Sequence, residues 1–306
     1  MSFINVPLGY VLKWISGLFN GNFALAVLVF TLLINLILLP LSIHSQKATA
    51  KQARMRPKLA LLKKKYGDDR NKLMQEQQAL NQQSGAGPSA SGCLPLIIRL
   101  IIMFAVYDVI TGPLQYIAGV ESATINDALC AAQNFGLIEN ISNRGSQINL
   151  FNLIQNGSIE VSGISPEILS SVNFNLFGIN LTETPTFGWN IFKAFDPLWL
   201  IPIVSFLTSI LSSVVSMLIN KRNNPDAPSM AGMMLAMPFF SLIIAFSVPG
   251  AVGFYWAASN LVSGGLQSAI QLIYGPDSVM AKQQLSGTVK RYATECEQIK
   301  KSTGNE

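Results

Sequence analysis

The run MMLAMPFFSLIIAFSVPGAVGFYWAASNLVSGGLQSAIQLIY, residues 233–274, contains no Asp, Glu, Lys or Arg. Pro249-Gly250 punctuates it, with one apolar stretch before (233–248 and its flanks) and one after (253–274). A membrane-spanning helix needs about 20 mainly apolar residues. The run therefore reads as two consecutive spans joined by a short turn. Upstream, residues 198–219 give another span, and residues 94–115 another that carries Arg99 and Asp108. Residues 23–43 are free of charge and give the first. The expected architecture is an all-α integral membrane protein with five transmembrane helices. Residues 3–18 are too short and too interrupted to span. They read as an interfacial amphipathic helix anchored by Trp14.

Composition supports a chain that lives in lipid. Half of the 306 residues are hydrophobic and only 12% are charged, against about 25% in soluble domains. Mean hydropathy is +0.38. Three cysteines, at 93, 130 and 296, show no CxxC pair or metal-like spacing. His44 is the only histidine, which removes His-based triads and His-metal sites. No phosphate-cradling glycine motif and no HExxH occur. The expectation is a protein without catalytic residues, cofactor or metal.

The net charge of +5 hides an asymmetry. Residues 44–91 carry ten Lys and Arg against three acids, a net of +7. Residues 116–197 carry two against seven, a net of −5. Basic loops stay cytoplasmic, so the N-terminus is expected outside and the C-terminus inside. The layout is then an interfacial helix (1–20), a first span (21–43), a basic cytoplasmic hairpin (44–91), a second span (92–115), an extracellular loop region (116–197), the third to fifth spans (198–275) and a cytoplasmic tail (276–306). The hairpin has helix-forming composition, a turn at Tyr66-Gly67-Asp68 and a flexible linker at 84–92, and Pro57 is expected to kink its first arm. Lys51, Arg54, Arg56, Lys58, Lys63, Lys64 and Lys65 make it a docking surface for ribosomal RNA, targeting factors or anionic lipid, or a solvated device that only enforces topology.

Polar groups inside lipid are costly, so each demands a reason. Arg99 lies roughly 8 Å into the second span and Asn35 roughly 12 Å from the end of the first, at 1.5 Å per residue. Gln267 in the fifth span sits at comparable depth. Trp256, Asn260, Gln267 and Gln271 are spaced +4, +7 and +4, which places them on one helix face. Ser205, Ser209, Ser212 and Ser216 form a stripe on the third span. Small hydroxyl faces commonly serve tight packing, and Asn35 is open to helix–helix hydrogen bonding as well as to a water-filled cavity. Arg99 is open to snorkelling. Asp108 is nine residues from Arg99 and points elsewhere, near the outer end of its span.

The order of these features resembles the YidC-type membrane protein insertase family. The resemblance rests on NLILLPLSIHSQK (35–47), RPKLALLKKKYGDD (56–69), GCLPLIIRLIIMFAVYDVI (92–110), FNLFGINL (174–181), DPLWLIPIVSFLTS (196–209) and MPFFSLIIAFSVPGAVGFYWAASNLVSGGLQ (237–267). It implies a hydrophilic groove in the inner leaflet, open to cytoplasm and lipid and working without nucleotide. It further implies nascent membrane proteins as substrates, with the ribosome, the signal-recognition machinery, the Sec translocon and membrane lipids as partners, and no DNA. A groove cation is implied on the first span, where this chain has Asn35. Arg99 on the second span is read as its replacement at nearly the same depth. The resemblance also implies a Gram-positive type, without a large periplasmic domain or lipoprotein processing. A small-solute transporter or channel with an inner-leaflet polar cavity is the competing reading, although no internal repeat is visible.

Overall fold

The computed structural model describes residues 2–67, 69–83, 90–141, 145–161, 164, 169, 173–185, 196–223 and 231–303. Its contacts divide into two compact units, taken here one at a time. The first comprises Met1–Ile37, Ile98–Met217 and Ser229–Leu266; the second comprises Leu38–Ile97, Leu218–Pro228 and Gln267–Glu306. The architecture is predominantly α-helical.

In the first unit, α1 (Ser2–Leu18) packs on α2 (Phe23–Ile37). Leu12 and Ile15 of α1 are buried, while Phe3, Tyr10, Trp14 and Leu18 of the same helix are exposed. One face thus belongs to the protein core, and the Trp14 face is free for an interface. Asn22 begins α2 by accepting the Leu25 N–H on its side-chain oxygen at 3.1 Å, which satisfies one of the helix's orphan donors. The chain breaks at Leu38 before α3 (Leu39–Tyr66). Pro40 causes this, because it has no N–H to return to the carbonyl four residues back. The expected continuous span over 23–43 is corrected accordingly.

The helix α5 (Ala90–Thr111) ends earlier than the sequence suggested. Gly112-Pro113 stops it, and a π-turn (Leu114–Ala118) follows, closed by Gly119 at φ 78°. The segment 116–197, expected as a polar loop, carries secondary structure of its own. It holds α6 (Ser122–Asn134), α7 (Ser146–Gln155) and a hairpin of β1 (Asn175–Leu176) and β2 (Ile179–Asn180). Ile125, Ala128, Leu129 and Ala132 of α6 and Ile148, Leu150 and Phe151 of α7 are buried. Phe174 stacks between Phe23 and Phe151, at 4.3 and 5.4 Å between ring centroids. The hairpin turns through Phe177 and Gly178, both at positive φ, the geometry of a two-residue turn matched to strand twist. Phe177 at its tip is 99% exposed.

A 3-10 turn (Pro197–Trp199), capped by the Asp196 carboxylate on the Leu198 N–H at 2.9 Å, leads into α8 (Leu200–Asn223). Then come α9 (Ala231–Ala245) and α10 (Gly250–Ile273), parted near Pro249 as the sequence predicts. Among the described residues, Pro197–Asn223 is the helix that by itself is long and apolar enough to cross a membrane, with mean hydropathy 2.1. Phe23–Ile37 and Leu39–Ala50 meet that condition only together. For 94–115, 233–248 and 253–274 the spanning assignment stays an expectation from the sequence.

In the second unit, α3 turns at Gly67 and α4 (Arg70–Gln83) folds back on it. Asp69 starts α4 by accepting the Lys72 N–H at 3.2 Å. Leu61, Leu62, Ala79 and Leu80, with the stems of Lys58, Lys65 and Glu76, line a groove of about 290 Å³ between the two arms. The backbone of α3 is helical through Pro57 without interruption; the expected kink is not a break. The expected linker over 84–92 lies outside the described residues from 84 to 89. The tail is a single helix, α11 (Pro276–Thr303), which packs against α3.

Candidate functional site

The polar residues of α2, α8 and α10 meet inside the first unit. Asn35 is 9% exposed. Its amide donates to the Thr31 carbonyl at 2.8 Å, one turn back on α2. Its side-chain oxygen accepts from the Ser263 hydroxyl of α10 at 2.8 Å. Both ends of this amide are therefore engaged, and the helix–helix bonding alternative describes Asn35 in this structure. Sequence reasoning missed Ser263, because a partner 228 residues away leaves no local signal.

Asn260 knits α10 to α8. Its amide donates to the Ser205 carbonyl at 3.3 Å, and the Ser212 hydroxyl donates to the Asn260 backbone carbonyl at 2.8 Å. Within α8, Thr208 donates to the same Ser205 carbonyl at 2.9 Å. Of the predicted hydroxyl stripe, Ser212 thus joins the two helices through its hydroxyl, and Ser205 is buried and joins them through its backbone carbonyl. Gly264 permits that approach, since a Cβ there would overlap the Ser212 hydroxyl and lie 2.8 Å from its Cβ.

The remainder of the α10 face is not satisfied in this way. The Trp256 Nε1–H is buried and has no hydrogen-bond partner among the described residues. Gln267 is exposed. Gln271 is 7% exposed, and its side-chain oxygen also lacks a partner among the described residues, although its backbone carbonyl accepts from Asn223 at 3.5 Å. A buried polar atom left unpaired costs about 1–3 kcal/mol; Asn5 Oδ1, Ser16 Oγ and Gln147 Oε1 are in the same position. Arg99 lies on α5, and its side chain is outside the described residues. Asp108, on the same helix, accepts from the Asn5 amide of α1 at 3.1 Å. That bond ties it to α1.

The basic residues fall in the second unit. Lys58, Lys63, Lys64 and Lys65 are exposed on α3. Lys51, Arg54 and Arg56 lie on the same helix, their side chains outside the described residues. Hydrogen bonding and charge from the neighbouring Tyr66 hold the Lys65 ammonium above the usual lysine range. Two further cations converge where α10 gives way to the tail. Lys47 and Lys282 lie over the Tyr274 ring at 5.0 and 5.7 Å from its centroid, each a cation–π contact. Tyr274 carried no signal in the sequence beyond closing an apolar run.

The Asn35–Ser263 contact gives a stability prediction. Asn35→Leu strands the buried Ser263 hydroxyl and is expected to cost about 1–3 kcal/mol. Adding Ser263→Ala removes the stranded group and is expected to return most of the loss. Thermal unfolding in detergent of Asn35→Leu, Ser263→Ala and the double variant checks this, and additive losses would contradict it.

The family model described as 60Kd inner membrane protein matches residues 14–275. The chain is 27% identical over 263 residues to "Membrane protein insertase YidC 2" of Listeria innocua, covering 85% of this chain and 67% of that protein. It is 26% identical over 280 residues to "Membrane protein insertase YidC 2" of Bacillus anthracis, covering 90% and 81%. It is 28% identical over 271 residues to "Membrane protein insertase YidC" of Granulibacter bethesdensis, covering 88% of this chain but 38% of that longer protein.

Proposed function

This chain belongs to the 60Kd inner membrane protein family, whose curated relatives are YidC insertases, and we propose that it is a membrane protein insertase working through a polar groove in the inner leaflet. The carrying observation is the face of α10. A helix of mainly small and apolar residues keeps Trp256 and Gln271 polar atoms buried without partners among the described residues, and keeps Gln267 exposed. Such groups are costly in lipid unless water or a passing polar chain meets them. Five spans, with the N-terminus outside and the C-terminus cytoplasmic, put the Gln267 and Gln271 end of this face and Arg99 towards the cytoplasm, with Trp256 nearer the outer end. The hydrophilic segment of a nascent membrane protein enters the groove, is attracted by the Arg99 charge, and crosses a shortened apolar barrier. Its apolar segment leaves sideways into lipid. No step needs nucleotide, and the only energy drawn on is that of moving the substrate's apolar segment from water to lipid.

The basic arm of α3, with its exposed Lys58, Lys63, Lys64 and Lys65, supplies a docking surface for the ribosome and the signal-recognition machinery and attracts anionic lipid. Use of the Sec translocon belongs to the same reading. The deciding experiment is reconstitution of the purified chain in liposomes. A small membrane protein is expected to insert without nucleotide, read as protease protection of its translocated segment. Solute flux without any substrate protein, and no protection, would instead favour a transporter or channel.

A further inference from the structure

The tail helix α11 changes character along its length. Near its start Val279 is buried and Lys282 lies over Tyr274. From 284 to 299 every residue is exposed. Within that stretch the large apolar side chains are not scattered. Leu285, Val289, Tyr292 and Ile299 are 70%, 61%, 65% and 60% exposed, and Cys296 is exposed as well. Their spacing is four, three, four, three. That is a repeat of 3.5 residues, the seam of a left-handed coiled coil. A helix that lies on lipid or on a globular core needs a wider apolar stripe, with a third position filled. Here the flanking positions hold Ser286, Thr288, Ala293 and Glu295. The surface therefore suits another helix of the same narrow kind better than a bilayer.

The occupant follows from topology and charge. Two copies held in one membrane share one orientation, so their tails leave on the same side and run in the same direction. In a parallel pair each seam position meets its own equivalent. Val289 and Cys296 then occupy the a positions, and Leu285, Tyr292 and Ile299 the d positions. Valine at a with leucine at d favours two strands. In that register a g residue faces the e residue five further along the partner helix. Glu295 at g is followed five residues later by Lys300 at e, and Thr288 by Ala293. One pair is of opposite charge and neither is of like charge. Two heptads alone are marginal in water, but anchoring in a bilayer raises the effective concentration of one tail around the other.

We propose that α11 is a self-association seam, through which two membrane-held copies of this chain join their tails as a short parallel coiled coil. The proposal rests on the membrane reading given above. Its test uses the full chain in membranes, oxidised with copper phenanthroline, with the disulfide mapped by mass spectrometry. A dimer bridged Cys296 to Cys296 is expected. Moving the thiol to the outer face, as Cys296→Ser with Thr294→Cys, is expected to lower the yield about tenfold, because residues there stand too far apart for the Cβ separation of about 3.5–4.5 Å that a disulfide needs. Tyr292→Asp is expected to abolish the bridge while the chain stays in the membrane. No bridge at Cys296, an equal yield from position 294, or indifference to Tyr292→Asp would overturn the proposal. Protection of Cys296 from an impermeant maleimide without dimer formation would assign the seam to lipid instead. Resistance to carbonate extraction, read on the same membranes, separates failure of the seam from failure of the membrane reading.

Discussion

Arg99→Ala is expected to reduce insertion of substrates with acidic translocated segments by about tenfold or more. The basis is Coulombic: one charge pair a few ångström apart reaches about 4 kcal/mol at an effective dielectric constant of 20, and about 1.4 kcal/mol is a factor of ten. Substrates whose translocated segment lacks acidic residues are expected to suffer less. The neighbouring helix sharpens the prediction. Asn35 is a neutral amide, buried, and its side chain already holds Ser263 and the Thr31 carbonyl, so it supplies no charge to attract a substrate. If the groove charge has moved to α5, then Asn35→Arg with Arg99→Gln is expected to restore part of the activity. Asn35→Arg alone is expected to impair it, since it breaks the Ser263 bond and sets two cations at one depth. Complementation of insertase depletion and insertion into proteoliposomes both read these outcomes. Full activity of Arg99→Ala would remove the charge from the mechanism.

The largest structural effect is expected at Gly264. A side chain there runs into the Ser212 hydroxyl and Cβ, at the point where Ser212 donates to the Asn260 carbonyl. Gly264→Val adds a branched side chain to this contact, and overpacking of a tight interface costs about 1–3 kcal/mol or more. The variant is expected to unfold at lower temperature in detergent and to be depleted from membranes. The smaller change Gly264→Ala tests the cause directly. Paired with Ser212→Gly, which removes the obstructing atoms, it is expected to regain most of the lost stability. Failure of that rescue would mean that α8 and α10 are not held apart by this contact alone.

Much of this organisation is legible in the sequence because it is local. The apolar runs at 198–219 and 233–274 correspond to α8, α9 and α10, and Pro249-Gly250 lies where the last two part. The break after Ile37 could have been read from Pro40, but the lack of charge in 23–43 outweighed it. The segment 116–197 was harder. Its Asn, Ser and Gly content suggests a loop, yet Ile125, Ala128, Leu129 and Ala132 follow helical spacing and are buried. Overall polarity concealed a short amphipathic helix. The spacing of Trp256, Asn260, Gln267 and Gln271 put them on one face, but spacing does not tell which amide is spent on a neighbouring helix. Asn260 and Asn35 are spent, the Gln271 side-chain oxygen is not, and only tertiary contacts separate these cases.

The hairpin region does more than connect α7 to α8. The Phe23 N–H at the start of α2 donates to the Asn173 carbonyl at 3.1 Å, and the Gly250 and Ala251 N–H groups at the start of α10 donate to the Glu183 and Leu181 carbonyls at 2.8 and 2.7 Å. Helix N-termini carry partial positive charge and exposed donors, which makes them natural resting places for anions and water. Here those donors are already occupied by protein. A half-channel that admits polar segments from one side runs the risk of discharging the ion gradient that the bilayer maintains. These three donors are held by backbone carbonyls and are not offered to an ion. On the insertase reading proposed above, the segment that looked like a loop would serve as electrical insulation at that end of the molecule.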